Sequence, residues 1–170
     1  MADHDPRSLG TLVYDELRRR AHRIMASSGS TVRIEPTELV HDVFVKLMGG
    51  KPVDWQGRTH FTAVASRQLR HVLVDHIRAE RAAKRGGDVH LTTLDPQSAV
   101  APQAEPVDLL AFEEALSGLE HKNPRRAEIV VLRLFGGLTV EEIARYYEVS
   151  ETTIKKQWRV AKAWLAAKLG

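Results

Sequence analysis

The sequence predicts an all-α protein: two small helical domains joined by a flexible linker, the second a helix-turn-helix domain of winged-helix-like type. Three observations carry the prediction. Apolar residues recur at spacings of three and four along most of the 170-residue chain, and no run alternates at period two as a strand would. A stretch holding Pro96, Pro102 and Pro106, small and acidic residues and no Lys or Arg separates two such regions. Near the C-terminus Thr139 is followed three residues later by Glu142, a capping-box pattern that opens a short helix, and a second, basic helix follows at once.

The first helix is expected over 11–27, with Leu12, Val13, Leu17, Ala21, Ile24 and Met25 on its apolar side and Ser27-Ser28-Gly29-Ser30 breaking it. A second is expected over 36–48. Pro36 suits the first turn, where its missing N–H has no partner to lose, and Gly49-Gly50 with Pro52 ends it. Residues 53–60 read as a loop. A long third helix is expected over 61–83, with Leu69, Val72, Leu73, His76 and Ile77 packed, a basic end and a Gly86-Gly87 stop. The linker covers 88–106. Helices over 107–120 and 125–134 follow, then the helix-turn-helix.

In that last unit Ile143 and Ala144 point inwards from the helix 140–147, Ala144 being small where two helices cross closely. Val149 fills the gap and Ser150 is placed to cap the helix from 151 to about 168. Ile154, Trp158, Ala161 and Leu165 make its buried stripe. Thr152, Lys155, Lys156, Arg159 and Lys162 are left facing outwards, and no acidic residue occurs from 152 to 170. A helix fits the major groove, its N-terminal part reaching base edges while neighbouring cations meet phosphates. Glu148 stands in the turn where glycine is favoured for its freedom at positive φ.

Charge distribution agrees with a polyanionic partner. The net charge is only +3, but residues 1–85 carry 15 Lys and Arg against 10 Asp and Glu, a net +5. Residues 86–114 carry six acidic residues and no Lys or Arg, a net −6, and 115–170 carry 10 against 6, a net +4. Two basic blocks thus flank an acidic connector, which at low ionic strength would be drawn onto a basic face. Cysteine is absent, which excludes disulfides, thiolate metal sites and a Cys nucleophile, and a cytoplasmic location is the simpler expectation. No apolar run approaches a membrane span, so no membrane insertion is expected. The eight histidines lack the spacing of a zinc motif, and there is no phosphate-binding glycine loop and no nucleophile elbow. No enzyme activity, metal or cofactor is expected.

Four stretches together resemble the extracytoplasmic-function (ECF) group of sigma-70-type RNA polymerase sigma factors: LVYDELRRRAHR (12–23), ELVHDVFVKLM (38–48), WQGRTHFTAVASRQLRHVLVDHIRAERAAKRGG (55–87) and LRLFGGLTVEEIARYYEVSETTIKKQWRVAKAWLAAKL (132–169). The resemblance implies a first domain over 1–87, corresponding to sigma region 2, which grips core polymerase and recognises and melts the −10 element. It implies a second over 107–170, corresponding to region 4, which reads the −35 element. Glu38, His41 and Asp42 would dock on the clamp coiled coil of the largest polymerase subunit. Trp55, Arg58, His60, Phe61, Arg67, Arg70 and His71 would contact the −10 DNA, a basic groove with aromatic or shape-matched pockets being what captures melted strands. Asp75 and Arg78 match recurrent family positions. Thr152, Lys155, Lys156, Arg159 and Lys162 would contact the −35 duplex. Partners implied are core RNA polymerase, promoter DNA and an anti-sigma factor. Only Met1–Gly10 precede the first helix where family members carry more, so the expectation is either a shortened opening helix or a true start further upstream. The rival reading is a helix-turn-helix regulator that never joins polymerase.

Overall fold

A computed structural model describes residues 6–28, 33–51, 53–86 and 108–170. The described residues form seven α-helices: α1 Pro6–Ser27, α2 Pro36–Gly49, α3 Arg58–Gly86, α4 Leu109–Lys122, α5 Pro124–Leu134, α6 Val140–Tyr147 and α7 Glu151–Leu169. No strand occurs among them. The linker read at 88–106 lies outside the described residues.

Local chemistry sets the helix ends. Pro36 and Pro124 occupy first-turn positions. The Asp108 carboxylate accepts from the Leu110 N–H at 3.0 Å, Asn123 Oδ1 from the Arg126 N–H at 3.0 Å, and Ser150 Oγ from the Thr153 N–H at 3.2 Å. α3 runs on to Gly86 and α4 spans Leu109–Lys122, each two or three residues beyond its expected end, and two helix starts also differ from the sequence reading. The first helix begins at Pro6, five residues before the expected Thr11, because Leu9 continues the buried stripe of Val13, Leu17 and Ala21. The loop before α3 ends at Gly57, whose φ of 92° turns the chain, so Arg58, Thr59 and His60 already lie in the first helical turn. The Phe61 N–H closes that turn on the Gly57 carbonyl at 3.0 Å.

The two helical halves share a core. One cluster runs from Val13 and Leu17 of α1 through Leu39, Val43, Phe61, Leu69 and Leu73 into Leu116, Leu119, Val130 and Leu165 of the second half. A second cluster joins Ala63 of α3 to Ile129, Leu132, Leu138, Ile143, Ala144 and Ile154, the centre of the helix-turn-helix. Burying such apolar surface contributes roughly 25 cal/mol per Å². The halves therefore meet along α3, which touches α4, α5 and α6.

Candidate nucleic-acid interface

Helices α6 and α7 form the predicted helix-turn-helix. The Glu142 N–H donates to Thr139 Oγ1 at 3.1 Å and Glu142 Oε2 accepts the Thr139 N–H at 2.7 Å, a complete capping box. In the turn, Glu148 sits at φ 54°, ψ 44°, the left-handed region, and the Val149 N–H donates to the Ala144 carbonyl at 2.9 Å. Ile154, Ala161 and Leu165 anchor α7. Its opposite face presents Thr152, Lys155, Lys156, Arg159 and Lys162, all exposed. Lys155 pairs with Glu151 at 3.2 Å and Lys162 Nζ lies 5.6 Å from the Trp158 ring centroid. Among the described residues, Lys156 and Arg159 make no ion pair, so their charge is directed at solvent.

The docking residues lie on α2. Glu38 and His41 are exposed, while Asp42 is partly tied to α3 through His76 Nε2, 3.1 Å from its Oδ2. Beside them Gly10, Tyr14, His41, Phe44 and Met48 line a mostly apolar cleft between α1 and α2. Leu12, Val45 and Met48 expose apolar surface nearby.

The residues expected at the −10 strand behave differently. Trp55 and Phe61 are core: Phe61 is fully buried, their rings pack at 4.6 Å, and Phe44 continues the stack at 5.9 Å from Phe61. They offer no free ring face and instead hold the loop against α2. Arg58 is exposed and bonds Glu16 at 2.7 Å. The two remaining arginines are engaged by the second half of the chain. Arg70, only 6% exposed, donates through Nε and Nη2 to Glu113 at 2.9 and 2.8 Å and also reaches Glu120 at 3.2 Å. Burial works against its charge, but the bonds and charge of Glu113, then of Glu120, outweigh it and raise the Arg70 pKa. Arg67 bonds Glu128 and, at 3.2 Å, the Tyr146 hydroxyl. The His60 ring lies parallel to Tyr146 at 6.5 Å. Its Nδ1 accepts the Gln56 N–H at 3.1 Å, a bond available only while that nitrogen is unprotonated. Burial, then the Arg67 charge, lower the His60 pKa against the opposing pull of Asp54. His71 stays exposed.

Glu113, Glu120, Glu128 and Tyr146 were not singled out in the sequence, where the carboxylates read as ordinary acidic positions. The available signal was Glu113 within an apolar helical stripe, seven residues from Glu120 and so on the same helical face.

A family model for the ECF sigma factor matches residues 3–170. The chain belongs to the ECF sigma factor family. Comparison with curated proteins and with solved structures finds no match. ECF sigma factors are DNA-binding proteins of transcription initiation and regulation, a family of transcription factors and not of enzymes. Among the described residues no helix is long and apolar enough to cross a membrane, and no three metal-ligating side chains cluster.

Proposed function

We propose that this ECF sigma factor binds core RNA polymerase and directs promoter-specific initiation through separate −10 and −35 contacts. Glu38, His41 and Asp42 on α2 dock on the clamp coiled coil of the largest subunit, with the apolar cleft beside them adding contact area. Thr152, Lys155, Lys156, Arg159 and Lys162 on α7 enter the −35 major groove, the cations meeting phosphates and releasing counterions. Arg58, His60, Arg67, Arg70 and His71 take the −10 strand, with Trp55 and Phe61 shaping the loop from beneath. An anti-sigma factor is the partner class that would hold the protein inactive.

The observation that supports this best is the continuous, solvent-directed cationic face of α7 on a fully capped helix-turn-helix, in one chain with an open α2 face. A stand-alone regulator has a use for the first but none for the second. Reconstitution with core polymerase and run-off transcription on the source genome's promoters tests the reading. Initiation dependent on this protein is expected; DNA binding with neither core binding nor initiation would leave the stand-alone regulator.

A further inference from the structure

A helix fills the major groove. Its body is about 10–12 Å across and the groove about 12 Å wide, so once one face reaches the base edges the two flanks meet the phosphates of the two strands. On α7 the flanks are unequal. Lys155, Arg159 and Lys162, spaced four and three apart, bring cations to one side. Thr153, Gln157 and Val160 repeat that spacing on the other side and carry no charge. The uncharged flank is turned towards α4 and α5: Trp164, the next position along it, donates through Nε1 to the Ala115 carbonyl at 3.2 Å.

A cation reaches this bare flank from the neighbouring helix. Arg126 of α5 donates through Nε to Gln157 Oε1 at 2.6 Å. We propose that Arg126 is a −35 phosphate contact supplied from α5, with Gln157 as the positioning residue that holds it beside α7, so that the duplex is gripped on both strands. This rests on the assignment of α7 to the −35 duplex.

The arginine is fixed at both ends. Its backbone N–H donates to the Asn123 cap at 3.0 Å, and its side chain is held through Nε. A guanidinium immobilised in this way loses little freedom on binding. Among the described residues its Nη1 and Nη2 hydrogens make no ion pair, and they form the fork that a phosphate accepts. The choice of partner matters. Arg67 and Arg70 are each matched to a carboxylate, which cancels their charge. Arg126 is matched to a neutral amide, which orients the charge and leaves it whole. With Oε1 engaged, the Gln157 amide has only N–H donors left to offer, so the pair presents donors without an acceptor. Arg125 beside it lies over the Tyr147 ring at 4.4 Å, again oriented without a counter-charge.

The test uses the full chain and a short fluorescent duplex that the wild type selects from a random-sequence pool. Arg126→Ala is expected to bind about 10-fold more weakly and to lower the slope of log affinity against log salt by about 1. Arg126→Lys keeps the charge and loses the fork, so it should restore the slope and only part of the affinity. Gln157→Ala should lose about 3-fold with the slope kept, because the charge remains and only its positioning is lost. Thermal melting reads the α5–α7 packing; a merely structural clamp would lower Tm and leave the salt slope alone. Duplexes each carrying one neutral methylphosphonate then locate the contact. At one phosphate the substitution should weaken the wild type and leave Arg126→Ala unaffected, and that phosphate should lie on the strand opposite the one found in the same way with Lys155→Ala. An unchanged slope in Arg126→Ala, or no methylphosphonate position coupled to it, overturns the proposal. Lys156→Ala separates the two possible failures. Weaker binding there with Arg126→Ala unchanged sinks the α5 contact alone. No loss in either variant, or no duplex selected by the wild type, removes the α7 assignment and the α5 contact with it.

Discussion

Glu148 occupies the turn of the helix-turn-helix at φ 54°, ψ 44°, the only non-glycine residue at positive φ among those described. Its side chain is exposed, so changing it alters little except the backbone preference. Holding an L-residue in the left-handed region costs about 1–2 kcal/mol. Glycine removes that cost but adds about 0.5–1 kcal/mol of unfolded-state entropy. Glu148→Gly should therefore stabilise the protein by about 0.5–1 kcal/mol net. Glu148→Ala keeps the left-handed cost and should be near neutral, which makes the Gly–Ala difference the direct measure of the φ effect. For a chain of this size 1 kcal/mol corresponds to about 2–4 °C in Tm, so glycine should melt about 2–3 °C above alanine. Urea and thermal unfolding followed by circular dichroism read both. A glycine variant no more stable than the alanine variant would refute the argument and show that the turn is not strained at this residue.

Four further outcomes are expected. Ile143→Ala, at a fully buried position between α6 and α7, should cost about 2–5 kcal/mol in urea unfolding and cripple −35 binding with it. Lys156→Ala and Arg159→Ala should each weaken duplex binding and lower the slope of log affinity against log salt by about 1, with core binding unchanged in a pull-down. Asp42→Ala should do the converse, losing core polymerase and keeping duplex affinity in the same pair of assays. His60 has a folded pKa below its usual 6.5, so its neutral form stabilises the fold above that value; the contribution is lost as pH falls through 6.5 and below. Melting between pH 8 and 5 should accordingly show a fall in Tm on the acid side that is diminished in His60→Gln.

Local chemistry made much of the fold legible in advance. The capping box at Thr139, the cap at Ser150, the small Ala144 and the stripe Ile154–Ala161–Leu165 are all short-range patterns, and α6 and α7 lie within a residue or two of where periodicity puts them. Glu148 stood out in the sequence for the same reason, since a turn geometry depends on the few residues that make it. The start of α1 was harder to read because Leu9 gains meaning only once the tertiary packing supplies the surface that buries it.

The sequence by itself determined which faces are apolar, where the capped helices α6 and α7 begin and end, and that α7 carries an uninterrupted cationic face, because each follows from residues within a turn or two of one another. Only the tertiary structure decided that Trp55 and Phe61 are core and that Arg70 lies 6% exposed against Glu113, 43 residues away. An arginine reads the same in a sequence whether it faces water, phosphate or a carboxylate. Which of these it meets is set by the packing of α3 against α4, α5 and α6, a long-range event that no local pattern encodes.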